Sequence, residues 1–154
     1  MRIALAADHA GYEMKRDLAA ALAKEGHEVL DLGTHTSAAV DYPDYAEAVA
    51  VVLREGQVER GIIVCGSGAG VSIAANKFPG IRAAVCHDTY TAHQAVEHDD
   101  MNVLCLGARV IGGALAIDLA CAFLAAKYAG EPRFQRRLDK VLAIERRFTG
   151  GAIK

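Results

Sequence analysis

The sequence predicts a single α/β domain with three layers (α/β/α), in which helices cover both faces of a five-stranded parallel sheet. Short apolar runs alternate with amphipathic segments along the chain, as they do in repeated βα units. The runs are continuous rather than alternating in polarity, which is typical of parallel strands buried on both faces. No linker or internal repeat divides the 154 residues. We assign residues 1–149 to this domain and expect 150–154 to form a disordered tail.

Five runs rich in Val, Ile, Leu and Ala are the predicted strands. They are 2–7, 27–32, 60–65, 81–86 and 102–107. Right-handed crossovers between them give a doubly wound, Rossmann-like sheet, in which we expect the first strand to lie between the second and the third. Ligands of such sheets bind outside the carboxyl ends of the strands, so the residues that follow each run are the candidates for a site.

Six segments with apolar residues at helical spacing lie between and after these runs. They are 12–25, 43–55, 69–77, 89–98, 113–129 and 131–148. The second begins at Pro43, which a first turn tolerates, and the fourth begins beside Asp88 and Thr89, which are suitable caps. Gly26 and Gly130 follow the first and fifth segments and end them.

Composition and charge exclude several classes of partner. The formal net charge is −2 and hydrophobic residues make up 53% of the chain, so neither nucleic acid nor a membrane surface is an expected partner. No uninterrupted apolar stretch reaches the roughly 18 residues of a membrane span, and the N-terminus lacks the order of a signal peptide. The four cysteines, at 65, 86, 105 and 121, lack metal-ligand pair spacing, so we expect reduced thiols, no metal and a cytoplasmic protein.

The strongest local signal is a glycine-rich turn between the third strand and the third helix. Cys65 ends the strand, and Gly66, Gly68 and Gly70 follow it. These glycines let the backbone aim several N–H groups at one point, which suits an anion or a developing oxyanion. A helix N-terminus favours the thiolate of a neighbouring cysteine, so Cys65 is a candidate base or nucleophile; the alternative is a buried thiol before a structural turn. Val71 occupies the position of the third glycine in a dinucleotide-binding fingerprint and of the arginine in a cysteine-dependent phosphatase loop. The turn therefore matches neither motif.

Four other places carry residues that suit chemistry, and each also has a structural interpretation. Asp8 and His9 end the first strand, where they could bind a phosphate or a sugar hydroxyl, or where Asp8 could cap the first helix. Asp41 and Tyr42 open the second helix, where Asp41 could be only a turn or cap residue and Tyr42 could line a pocket.

His98 and a stripe of arginines are the remaining two candidates. His98 closes the fourth helix beside Asp99, and the helix dipole and that carboxylate favour the cationic form that a general acid uses. Arg133, Arg136 and Arg137 lie on one stripe of the last helix, and two guanidiniums one turn apart can clamp a phosphate. The structural alternatives are an exposed histidine at a helix end and a solvated charged face.

Taken together, these motifs resemble the ribose-5-phosphate isomerase type B family, which includes galactose-6-phosphate isomerase subunits. The resemblance runs over roughly residues 2–148. It is carried, in order, by Ala-Ala-Asp8-His9-Ala-Gly11, Asp41-Tyr42-Pro43, Cys65-Gly-Ser67-Gly-Ala-Gly70-Val-Ser-Ile-Ala-Ala-Asn76-Lys77, Gly80-Ile-Arg82-Ala, His98-Asp99-Asp100-Met-Asn102-Val-Leu and Leu106-Gly-Ala-Arg109, with Arg133 and Arg137. Position 99 is a departure, because the family often has Asn there and an ionised carboxylate cannot donate a hydrogen bond.

The resemblance implies a cofactor-free enzyme that interconverts ribose 5-phosphate and ribulose 5-phosphate through an enediolate, as in the pentose phosphate pathway. It implies Cys65 as the base, Ser67 as an aid to proton movement at the sugar oxygens, and His98 as the acid that opens the furanose ring. The implied substrate contacts are Asp8, His9, Asp41, Tyr42, Gly66, Ser67, Gly68, Ala69, Gly70, Asp99, Arg109, Arg133 and Arg137. A homodimer or a dimer of dimers is also implied, with the site near the subunit interface.

Three alternatives stay open at this point. A six-carbon sugar phosphate, such as galactose 6-phosphate or allose 6-phosphate, would use the same chemistry. A non-catalytic nucleotide- or sugar-binding module would need the glycine loop and the arginines, but not Cys65 together with His98. A thiol redox protein would need a second cysteine close to Cys65, and the nearest later one in sequence is Cys86.

Overall fold

Five parallel strands form the centre of the protein, as seen in a computed structural model that describes residues 1–149. The strands are β1 (Arg2–Ala7), β2 (Glu28–Asp31), β3 (Arg60–Cys65), β4 (Ala83–Val85) and β5 (Val103–Gly107). Their order across the sheet is β2-β1-β3-β5-β4, and every neighbouring pair is parallel. The prediction that the first strand lies between the second and the third is confirmed.

Within residues 1–149 there are six helices: five cover the two faces of this sheet, and the last packs against the fourth. They are α1 (Tyr12–Lys24), α2 (Tyr42–Arg54), α3 (Ala69–Ala75), α4 (Thr89–Asp99), α5 (Gly113–Ala125) and α6 (Pro132–Thr149). Helices α2 and α3 pack on one face, while α1, α4 and α5 pack on the other. The predicted three-layer α/β/α arrangement is therefore confirmed.

The apolar runs fill both layers of the core because successive side chains of a strand point to opposite faces. In β3, Ile62 and Val64 face α1 and α5, whereas Ile63 and Cys65 face α2 and α3. All four side chains are buried, and burying a side chain the size of Ile stabilises the fold by about 1.5–3 kcal/mol. The same alternation places the Cys65 thiol on the face where α3 begins.

Helix α5 ends earlier than predicted, at Ala125 rather than at residue 129. The backbone turns extended at Ala126, and the Arg60 guanidinium donates hydrogen bonds to the carbonyl oxygens of Phe123 and Ala126. These carbonyls have no partner from a further helical turn, so Arg60 of β3 satisfies the helix end from the face of the sheet on which α5 packs. Ala129 then donates its N–H to the Glu97 carbonyl (3.0 Å), which directs the chain towards α6.

A close backbone contact joins the start of α1 to β3. A Cβ atom added at Gly11 would lie 2.6 Å from the carbonyl oxygen of Val64, a distance that only glycine permits. Asp8 also donates its backbone N–H to the Val64 carbonyl (3.1 Å). The turn that carries Asp8 and His9 is therefore held against the end of the strand that carries Cys65.

Within residues 1–149, none of the helices combines the length and the apolar character needed to cross a membrane. The predicted tail, 150–154, lies outside the described residues.

Candidate active site

The glycine-rich turn surrounds the Cys65 thiol with backbone donors. Cys65 is the last residue of β3 and is 4% exposed. The Gly68 N–H donates to its Sγ atom at 3.1 Å, and α3 begins at the next residue. Gly68 has φ of +81°, in the left-handed region where a side chain would be strained. The turn thus aims a backbone N–H at the Cys65 sulfur at the point where α3 begins.

This turn lies directly against the end of β5. A Cβ atom added at Gly107 would lie 2.7 Å from the carbonyl carbon of Ser67, and one added at Gly68 would lie 3.1 Å from the carbonyl carbon of Leu106. Ala108 donates its N–H to the Cys65 carbonyl (2.8 Å). Glycine at both positions therefore allows the two backbones to touch and keeps the turn in place.

Arg109 brings a positive charge to the same turn. Its N–H donates to the Gly66 carbonyl (3.0 Å), and its side chain lies over Gly66, where an added Cβ would be 3.6 Å from Nε. No carboxylate in residues 1–149 forms a salt bridge with Arg109. The guanidinium is therefore available to an anion bound at the turn.

Asp8 is buried and acts as a turn residue. Its Oδ1 atom accepts hydrogen bonds from the N–H groups of Ala10 (2.9 Å) and Gly11 (3.1 Å). Asp8 therefore stabilises the turn before α1 but is not the helix cap, because the N-cap residue is Gly11 and no side chain caps it. Both bonds use one carboxylate oxygen, so this role leaves the Oδ2 atom free to accept a hydrogen bond from a substrate hydroxyl.

His9 follows β1 and contacts the segment that leads into α2, where Asp41 and Tyr42 lie. The His9 Nδ1 atom lies 3.2 Å from the Val40 carbonyl oxygen and 3.3 Å from the Val40 nitrogen. Asp41 is the N-cap residue of α2, but its side chain makes no capping hydrogen bond. A Cβ atom added at Gly70 would lie 3.0 Å from the Tyr42 ring, so this ring covers the start of α3.

His98 lies in the last turn of α4 and is packed against α6. Its ring stacks on Phe134, with 4.0 Å between the ring centroids and 18° between the planes. The Gln94 side-chain amide donates to Nδ1 (2.6 Å). The Arg133 guanidinium carbon lies 4.4 Å from the centroid of the Phe134 ring. Phe134 thus contacts both His98 and Arg133, and the three side chains form one cluster.

This cluster lies at the other edge of the sheet from Cys65. Gly61 pairs with Val103 at the start of β3, and Cys65 pairs with Gly107 at its end. His98 lies just before β5, so four residue steps of strand, or roughly 13 Å, separate the two levels. One chain therefore places Asp8, His9, Asp41, Tyr42, Arg109 and the turn 65–70 at one edge, and His98, Asp99, Arg133 and Arg137 away from it.

The other cysteines are poor partners for Cys65 in redox chemistry. All four thiols are free. Burial, with a smaller contribution from Asp88, raises the pKa of Cys86 to about 11, and burial raises the pKa of Cys105 as well. Both thiols therefore resist ionisation, whereas a resolving cysteine must react as a thiolate. Within residues 1–149, no group of three or more His, Cys, Asp or Glu side chains is placed to hold a metal ion.

His87 follows the fourth predicted strand, where ligands of such sheets bind, but the sequence assigns it no role. It lies just beyond the end of β4, and its Nε2 atom accepts the Gly107 N–H at 3.0 Å. The contact joins residues that are distant in sequence, and no local motif around His87 predicts it.

Comparison with known proteins agrees with this geometry. The sequence pattern of the family described as Ribose/Galactose Isomerase matches residues 3–141. The chain belongs to the ribose/galactose isomerase family. It is an aldose–ketose isomerase, so the binding-module and thiol redox interpretations of the sequence do not apply.

Several members of this isomerase family are similar over nearly their whole length. Ribose-5-phosphate isomerase B of Escherichia coli K12 is 47% identical over 146 residues, which cover 95% of this chain and 97% of that protein. The Clostridium thermocellum ribose-5-phosphate isomerase B structure matches with a TM-score of 0.94 and 47% identity, over 97% of this chain and 100% of that one. The Mycoplasma genitalium ribose-5-phosphate isomerase B structure, with bound ribulose-5-phosphate, matches with a TM-score of 0.88 and 39% identity, over 94% and 96%.

Proposed function

We propose that this isomerase interconverts ribose 5-phosphate and ribulose 5-phosphate through an enediolate, with Cys65 as the base. The observation that carries the proposal is the Cys65 thiol at the head of the glycine turn, with the Gly68 N–H 3.1 Å from its sulfur. The 47% identity to the Escherichia coli ribose-5-phosphate isomerase B supports the choice of a pentose phosphate as substrate.

The chemistry needs a base at carbon and donors at oxygen. In the aldose-to-ketose direction, the Cys65 thiolate removes the proton from C2, and the electron pair moves through C1 onto O1. Backbone N–H groups of residues 66–70 stabilise the enediolate, and losing one such donor typically raises the barrier by about 2.7–4 kcal/mol. The Ser67 hydroxyl moves the O2 proton to O1, and the Cys65 thiol returns its proton to C1.

The remaining residues at this edge bind the substrate. The Asp8 Oδ2 atom accepts a hydrogen bond from a sugar hydroxyl, and His9 and Arg109 contact the substrate beside the turn. Asp41 and Tyr42 line the same side, because Tyr42 already covers Gly70. These assignments give the open-chain sugar polar contacts along its length, as an oriented proton transfer requires.

A second copy of the chain supplies the rest of the site. His98 opens the furanose ring, and Asp99, Arg133 and Arg137 contact the sugar and its phosphate. One chain holds His98 roughly 13 Å from the level of Cys65. We therefore propose a homodimer, alone or paired into a dimer of dimers, in which His98 of the partner subunit reaches the turn. Exposed apolar side chains on α3, α4 and the segment after β5 (Ile73, Tyr90 and Val110) offer surface for such a partner.

The cytoplasm is the proposed location of this isomerase. Its four cysteines are free, including the exposed Cys121, and free thiols persist in a reducing compartment. Mass spectrometry of the protein trapped in cell lysate with a thiol alkylating reagent would show four alkylated cysteines; any disulfide would contradict this location.

The test of the proposed reaction is turnover of ribose 5-phosphate in deuterated water. An enediolate mechanism incorporates solvent deuterium at C1 of ribulose 5-phosphate, because the Cys65 thiol exchanges its proton before returning it. No turnover of ribose 5-phosphate, with turnover of allose 6-phosphate or galactose 6-phosphate, would assign the protein to six-carbon substrates instead. Turnover without any deuterium would argue against exchange at a thiol.

A further inference from the structure

We propose that His87 is a positioning residue for the oxyanion-binding turn, acting through the backbone of Gly107. The inference rests on the proposed function, because it assigns His87 to the turn that stabilises the enediolate. Nothing in the local sequence around His87 indicates this role.

On the side of β4, the end of β5 has no strand partner, and this is where His87 acts. Strand β4 ends at Val85, which pairs with Cys105, and the backbone of Cys86 makes a last bond to Cys105 at 3.4 Å. The Gly107 N–H lies two residues further along β5, and it donates to the His87 side chain at 3.0 Å. His87 thus continues the β4–β5 ladder with a side-chain acceptor in place of a backbone carbonyl.

Gly107 transmits this contact to the catalytic turn. An added Cβ at Gly107 would lie 2.7 Å from the Ser67 carbonyl, so the two backbones already touch. An added Cβ at Gly68 would lie 3.3 Å from the Gly107 nitrogen, the atom that His87 holds. Gly68 is also the donor to the Cys65 sulfur. A displacement of Gly107 therefore changes the direction of the N–H groups on which the enediolate depends.

The hydrogen bond also defines the form of the histidine ring. The Gly107 N–H is a donor, so Nε2 must be an unprotonated acceptor, and the ring proton of a neutral His87 is at Nδ1. A glutamine side chain can place its Oε1 atom close to the position of Nε2. An asparagine side chain is shorter and reaches only to the level of Nδ1.

The experiment compares three variants of the full-length chain: His87→Leu, His87→Asn and His87→Gln. The Leu and Asn variants should lower kcat for ribose 5-phosphate roughly fivefold to tenfold, the effect of losing one buried backbone hydrogen bond, with KM nearly unchanged. The Gln variant should recover most of the parent kcat. His35→Gln is the matched control, because His35 is exposed and should keep parent values.

Binding of an enediolate analogue separates positioning from general stability. A phosphorylated hydroxamate should bind the Leu and Asn variants more weakly by the same factor as the fall in kcat, because transition-state analogues depend on the donors that KM does not report. All measurements are made below the unfolding temperature of each variant.

Equal kcat and equal analogue affinity in parent, Leu and Asn variants would overturn the proposal, as would a Gln variant no better than Asn. If the parent itself does not turn over ribose 5-phosphate, the proposed substrate fails. The His87 comparison is then made with the six-carbon substrate that the parent does turn over, so the two failures are distinguishable.

Discussion

At the scale of the residue, the three cysteines that lie in or next to strands differ in their surroundings. Cys65, Cys86 and Cys105 all lie in or next to strands, yet among these three only Cys65 receives a backbone N–H on its sulfur. Burial holds the other two as neutral thiols. The proposed mechanism therefore depends on a cysteine at the point where the chain ends a strand and begins a helix.

Cys65→Ser should lower kcat at least about 10²-fold, the lower end for losing a general base, with KM for ribose 5-phosphate largely kept. Serine retains the shape of the side chain but does not ionise at neutral pH. Steady-state kinetics with ribose 5-phosphate measures both constants. Cys121→Ser is the matched control, because that cysteine is exposed on α5 and should be dispensable. A Cys65→Ser protein with near-parent turnover would place the base elsewhere.

The two arginines on neighbouring positions of α6 allow a paired test of phosphate binding. Arg137→Ala should raise KM for ribose 5-phosphate by roughly 10- to 150-fold, since a hydrogen bond to a charged group contributes about 1.5–3 kcal/mol. KM for free ribose should hardly change. Arg136→Ala removes an equally exposed charge that has no proposed contact, so it should leave both constants near the parent values. Equal effects of the two substitutions would show a general charge effect instead.

At the scale of the element, strands and helices were predicted where the determinants are local. Continuous apolar runs and terminal glycines are visible in a window of a few residues, and Asp88 accepts the Thr91 N–H (2.7 Å) as the predicted cap of α4. The end of α5 was placed four residues too late, because the group that satisfies its carbonyls is Arg60, far away in sequence. The sequence assigns no role to His87 for the same reason, since the sheet brings its partner, Gly107, close to it.

The contact between α1 and β3 predicts which glycines tolerate a side chain. Gly11→Ala should lower the free energy of unfolding by about 1–3 kcal/mol, because the new Cβ overlaps the Val64 carbonyl and forces α1 away from β3. Gly113→Ala is the control: an added Cβ there meets nothing within 4 Å, and alanine is the better helix former. Urea unfolding followed by circular dichroism measures both. A Gly11→Ala protein as stable as the parent would mean that α1 shifts without cost.

At the scale of the whole molecule, the parallel topology settles which site residues one chain can bring together. A helix that connects two parallel strands runs from the carboxyl edge of the sheet back to the amino edge. Its last turn therefore lies at the amino edge and cannot lie beside the carboxyl ends of the strands. His98 occupies such a last turn, and Cys65 ends a strand. The sequence predicts a role for each of these residues, and the predicted order of elements already implies that they are separated within one chain.

Mixing two inactive variants tests whether the site is shared between chains. Cys65→Ser and His98→Asn should each be nearly inactive, and unfolding and refolding them together in equal amounts should restore about a quarter of the parent activity. Half of the random dimers are then mixed, and each mixed dimer has one site with both Cys65 and His98 intact. The separately refolded variants are the control. A mixture no more active than its components would contradict a site built from two subunits.

Because Cys86 and Cys105 resist ionisation, Cys65 can be used to count functional active sites. In a Cys121→Ser chain, Cys86 and Cys105 resist alkylation because burial raises their pKa values, so reagent consumed by the folded protein reports on Cys65 alone. The molar ratio of bound reagent to chain then gives the fraction of chains with an intact site, without any measurement of rate. Specific activities of different preparations and variants could be expressed per functional site rather than per milligram.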